Sequence, residues 1–135
     1  MERIKVSSTI TTSPQKLYKS WLNSKEHSNF TGGEAKINPK VGGKMSAWDG
    51  YITGKFVELT ANKKIVQTWR STDFPKTSED SILTISFDKV DNGSKITLLH
   101  TNIPDGQGEG YKKGWKDFYF TPMKKYFRTP LNRFP

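Results

Sequence analysis

Two histidines and thirteen carboxylates are the side chains most suited to proton transfer or metal binding in this chain. His27 and His100 stand far apart, with no H-E-x-x-H motif, and the absence of cysteine removes thiolate nucleophiles and Cys/His metal spacing. No serine lies in a G-x-S-x-G context, and the carboxylates form no evident pair on an inward-facing strand register, as acid/base work would require. Gly106-Gln107-Gly108-Glu109-Gly110 fails as a dinucleotide fingerprint. Tyr111 occupies the third glycine position, and Asp105 and Glu109 would repel a pyrophosphate at the helix start. His100 closes an apolar strand face with Ile96 and Leu98. It could hold the polar head of a ligand, or be satisfied by a backbone group or by Tyr119. No catalytic residue, metal or cofactor is expected.

Aromatic residues make up 13% of the chain. Phe30, Trp48, Trp69, Phe87, Trp115, Tyr119 and Met123 can be read as the lining of a cavity for an apolar ligand or as the filling of a core poor in leucine. The buried polar tips of Trp115 and Tyr119 need partners, which leans toward a roomy, partly polar interior. Tyr111, Trp115, Phe118, Tyr119, Met123 and Tyr126 recur at helical spacing, and Lys112, Lys113, Lys116, Lys124 and Lys125 take the opposite side. This basic stripe, continued by Arg128 and Arg133, could dock an acidic partner. It makes a poor nucleic-acid platform because the rings face away from the lysines. Pro122 should interrupt the helix by removing the bond to the Phe118 carbonyl.

The elements that position these groups follow from the remaining pattern. At 135 residues the chain predicts one domain spanning 1–135, with net charge +9 spread along its whole length. The MERIKVSSTI start has no apolar signal-peptide run and no segment approaches membrane-spanning length, so a cytoplasmic protein without membrane insertion is expected. The sequons at Asn29 and Asn92 carry no weight without secretion.

Ile4, Val6, Ser8 and Ile10 predict a half-buried first strand, and Ser13-Pro14 opens a short helix ended by Asn23-Ser24, with a further turn over 25–30. Short strands follow near 34–37 and 44–48, and Asp49-Gly50 turns the chain into 51–59. Strands over 65–70, 81–90 and 95–101 precede the helix over 111–127. The class is α+β: an antiparallel curved sheet wrapped around a long C-terminal helix, with a short helix after the first strand.

This order resembles the helix-grip fold of the START and birch-pollen-allergen (SRPBCC) superfamily. FTGGEAKINPKVGGKMSAWDGYITGKF, IVQTWR and IPDGQGEGYKKGWKDFYFTPMKKYF, with the Ser13-Pro14 helix start, resemble the activator of heat-shock protein 90 ATPase family, specifically its C-terminal domain and single-domain relatives. The superfamily resemblance implies a domain that binds a small hydrophobic molecule (a lipid or an aromatic) between sheet and helix, and the lack of an acid/base pair makes a non-enzymatic role the expectation. By position, Trp48, Trp69, Phe87, Leu98, His100, Trp115, Tyr119 and Met123 would line that site. The family resemblance implies the alternative, a stress-response co-chaperone that binds heat-shock protein 90 and modulates its ATPase; the basic stripe, at Lys112, Lys113 and Lys116, is the face that would engage an acidic surface on it.

Overall fold

A computed structural model describes residues 1–128, so Arg133 of the basic stripe lies outside the described residues. Strand β1 (Glu2–Ile10) leads into helices α1 (Pro14–Trp21) and α2 (Ser24–Thr31). Strands β2 (Lys36–Ile37), β3 (Lys44–Ala47), β4 (Ile52–Thr60), β5 (Lys64–Ser71), β6 (Ser81–Val90) and β7 (Gly93–Ile103) follow. The C-terminal helical run comprises α3 (Gly108–Gly114), a π-helical turn (Trp115–Phe120) and α4 (Thr121–Tyr126). All seven strands form one antiparallel sheet in the order β1-β7-β6-β5-β4-β3-β2. The meander from β2 to β7 thus closes by laying β1 beside β7, with Val6 opposite Leu98 and Ile4 opposite His100.

Local chemistry sets the element ends. The Ser13 hydroxyl accepts from the Lys16 amide at 3.1 Å, capping α1 behind Pro14. Helix α1 ends at Trp21, next to the Asn23-Ser24 stop read from sequence. The Asn23 side chain accepts from the Glu26 amide at 2.9 Å to start a full second helix in place of the single further turn expected, and Gly32 closes that helix at φ +89°. Asparagine serves at either terminus, and here the orphan amides of α2 claim it. The β3–β4 turn is also longer than Asp49-Gly50 predicts. Trp48, Asp49 and Gly50 all take positive φ (53°, 59° and 93°), so the strands stop at Ala47 and restart at Ile52. A bulky side chain in the left-handed region is uncommon. Trp48 is accommodated because Gly33 packs against it: a Cβ there would lie 2.7 Å from the indole Cε3.

Strands β5, β6 and β7 alternate buried and half-buried positions, giving an inner face of Ile65, Gln67, Trp69, Leu83, Ile85, Phe87, Ile96, Leu98 and His100. The helices cover it with Leu17, Trp21, Phe30, Trp115, Tyr119 and Met123. The interruption expected at Pro122 takes the form of the π turn immediately before it. The Thr121 amide reaches back to the Lys116 carbonyl, to which the Thr121 hydroxyl also donates at 2.9 Å. In this wider turn each residue advances less around the axis. Tyr119 therefore stays under Trp115, whereas Phe118, placed on the inner face by regular helical spacing, is 59% exposed.

Candidate functional site

Between the helical run and the sheet at β4 and β5 lies an open cleft of about 710 Å³. One wall comes from the sheet side: Trp48, Tyr51 and Ile52 from the β3–β4 turn and the start of β4, Trp69 from β5, and Asp73 from the loop after it. The helical run supplies the other wall through Gln107, Gly110, Tyr111, Gly114, Trp115, Phe118 and Tyr119, with Gly106 at its entry. These helix positions recur at spacings of three and four, so they form one stripe along a single face. Two members of the stripe are glycines. A Cβ on Gly110 would meet nothing within 4 Å, and one on Gly114 would touch Phe118 Cδ2 at 3.9 Å. The cleft is open beside the helix because these two positions carry no side chain.

Four of the eight ring and apolar residues expected at a ligand site line the cleft: Trp48, Trp69, Trp115 and Tyr119. The other four lie only in the core, to which Trp69, Trp115 and Tyr119 also belong. Leu98 and His100 are fully buried on β7, Met123 is 1% exposed, and Phe87 packs edge-on against Tyr18 with ring centroids 5.9 Å apart. Helical spacing had already grouped Tyr111 and Phe118 with the lining side chains, and Phe118 contacts Trp48 edge-on at 6.0 Å. The glycines at 110 and 114, in phase with that stripe, are the mark of this open space in the sequence. Asp73 has no such mark, because it sits in a polar loop.

Both histidines support the cleft from beneath it. His100 Nε2–H donates to Ser81 Oγ at 2.8 Å, while that hydroxyl donates to the Trp69 carbonyl at 2.6 Å. Its Nδ1 accepts from Trp115 Nε1–H at 3.2 Å, so the ring is neutral and holds Trp115 in place. Burial pulls its pKa down to about 3. His100 therefore positions Trp115 in the aromatic floor, and with both nitrogens engaged it is absent from the cleft lining. Tyr119, weighed from sequence as its partner, belongs to His27: the tyrosine hydroxyl lies 2.9 Å from His27 Nε2, and His27 Nδ1–H donates to the Trp21 carbonyl at 2.9 Å. Burial pulls His27 down to about 4, and burial likewise raises the Tyr119 phenol above its ordinary value.

At the other end the cleft turns polar. The Tyr51 hydroxyl donates to Asp73 Oδ2, and Tyr111 donates to Gln107 Oε1 at 2.6 Å. Desolvation, then the bond to Asp73, pushes the Tyr51 phenol up to about 12, so it stays protonated. The start of α3 is held from β1, where Glu2 accepts from the Gly106 amide at 2.9 Å and the Gly108 amide at 2.7 Å.

None of Lys112, Lys113 and Lys116, the lysines expected to dock a partner, lines the cleft. Lys112 is half-buried, Lys116 is exposed, and Lys113 is exposed and paired with Asp117 at 2.7 Å. Among the described residues no group of three or more His, Asp or Glu side chains could hold a metal, and no helix is long and apolar enough to cross a membrane.

An antiparallel sheet curved around a C-terminal helix, with an apolar cleft between them, defines a helix-grip domain of the START type. Accordingly, Ara h 8.0201 superposes with a TM-score of 0.72 at 18% identity, over 93% of this chain and 97% of that one. The sequence model of the "Activator of Hsp90 ATPase homolog 1-like protein" family matches residues 11–128, and the chain belongs to that family. The human protein named "Activator of 90 kDa heat shock protein ATPase homolog 1" is 28% identical over 125 residues, covering 93% of this chain and 37% of its own length. This chain thus spans about a third of the curated relatives it matches. The crystal structure of an HSP90 activator from Plasmodium falciparum superposes with a TM-score of 0.85 at 27% identity, over 93% of this chain and 96% of that one.

Proposed function

We propose that this chain is a non-catalytic, cytoplasmic binding domain that holds a small, mainly apolar molecule in the cleft between β4–β5 and the C-terminal helical run. The observation that carries this reading is the open cleft of about 710 Å³ walled by Trp48, Trp69, Trp115 and Tyr119. Its size falls in the range of roughly 300–1,000 Å³ usual for small-molecule sites. A ligand lying on these rings gains roughly 25 cal/mol per Å² of apolar surface removed from water. Three of the four tryptophans line the cleft, so intrinsic fluorescence reports occupancy. Titration with a panel of fatty acids, sterols and planar aromatics should give a saturable change for at least one class. A flat response across the panel removes this reading.

Family membership favours a second reading, in which the domain contacts Hsp90. It would use the outer face of the helical run, where Lys113 and Lys116 are exposed, and so leave the cleft free. Changing Lys112, Lys113 and Lys116 together to glutamate should weaken such a complex about tenfold and reduce its salt dependence. An unaltered affinity in surface-binding measurements would reject it.

A further inference from the structure

The cleft has one charged group in its lining. Asp73 stands at its polar end, and no lysine, arginine or histidine accompanies it. The hydrogen-bond inventory around it is one-sided. The Tyr51 hydrogen is committed to Asp73 Oδ2, the Tyr111 hydrogen to Gln107 Oε1, and one Gln107 amide hydrogen to the Asp73 carbonyl at 3.0 Å. With Tyr111 committed, Ser71 donates to the Tyr111 hydroxyl at 2.6 Å and accepts from the Asp73 amide at 3.1 Å. Donors at this end are thus nearly all engaged, whereas Asp73 Oδ1 receives no hydrogen bond among the described residues. A ligand group arriving here meets an open anionic acceptor next to aromatic rings, an environment that favours a cationic donor on both counts.

We propose that the cleft selects organic ammonium compounds, with the ammonium group at Asp73 and the apolar body against Trp48, Trp69 and Trp115. This inference rests on the cleft being a small-molecule site and adds the charge class of its ligand. The preference is local. The chain as a whole carries +9, so its general field draws anions, and a cation preference can come only from the lining. Asp73 is exposed, which moderates the effect through solvent screening.

The test is a calorimetric titration with three probes that share one ring system: naphthylethylammonium, naphthylethanol and naphthylacetate. The ammonium should bind about fivefold tighter than the alcohol, and the carboxylate weakest, combining a screened ion pair with a cation–π contact. In Asp73→Asn, whose folding is checked by circular dichroism, the ammonium should fall to within about twofold of the alcohol, because the open carboxylate is gone. Equal binding of all three probes, or a carboxylate preference, overturns the charge assignment while leaving the cleft as a binding site. An ammonium preference that persists in Asp73→Asn overturns the role of Asp73. Failure of every probe to bind overturns the site itself.

Discussion

Acidification from pH 6.5 to 4 is expected to remove most of the stability of this protein through two buried imidazoles. Both are neutral in the fold, and their ordinary pKa of 6.5 is pulled down to about 4 at His27 and about 3 at His100, chiefly by burial. Hydrogen bonding reinforces this. Each ring already uses both nitrogens, one as donor and one as acceptor, and at His100 an added proton would set N–H against the Trp115 indole, which can only donate. A depressed folded-state pKa means that the unfolded chain binds protons first. The stabilising contribution is therefore complete above pH 6.5 and is lost as pH falls toward the folded values. Each histidine contributes on the order of 1 kcal/mol per pH unit in that window. Together they amount to roughly 5 kcal/mol by pH 4, comparable with the whole stability of a small domain. Urea unfolding followed by near-ultraviolet circular dichroism at successive pH values would show the slope, and His100→Gln should about halve it. A stability that stays level down to pH 4.5 would contradict the neutral, buried state of both rings.

Leucine at the two helical glycines of the cleft is expected to weaken the binding of cleft probes at least about tenfold and to stabilise the fold at the same time. Gly114 has α-helical dihedrals (φ −60°, ψ −41°), so a side chain there is unstrained, and its Cβ would touch only Phe118. Replacing an interior helical glycine gains about 0.5–1 kcal/mol in propensity. The added side chain extends from a cleft-lining position into the space a ligand would occupy. Gly110→Leu and Gly114→Leu should each raise Tm by a few degrees, and combined should weaken binding of any cleft probe by a factor of ten or more. The opposite signs make this pair more informative than Trp115→Ala. That change would cost about 3–5 kcal/mol because Trp115 is also part of the core, confounding lost binding with lost folding. Probe affinity within twofold of the parent in the double variant would mean that ligands bind elsewhere.

Much of the architecture was written in local pattern. Period-two burial over Ser81–Val90, the Ser13-Pro14 helix start and the 3–4 spacing from Tyr111 to Tyr126 each arise from interactions within a few residues, and each led to the right element. The departures have different causes. Asn23 opens a second helix by accepting from the Glu26 amide, Phe118 swings outward on the π turn before Pro122, and only Trp48 leaves its strand because a residue distant in sequence, Gly33, gives it room. Composition and periodicity established that rings such as Trp48, Phe87, Trp115 and Tyr119 must turn inward, since so aromatic a chain has few other side chains with which to build a core. Only the tertiary structure separated Phe87, which packs under α1, from Trp48, which borders the cleft. It likewise paired Tyr119 with His27 and brought Asp73 beside Tyr51. Periodicity encodes which side of an element faces inward. What that side meets depends on packing between residues far apart in the chain, here on two helical glycines that leave their places empty.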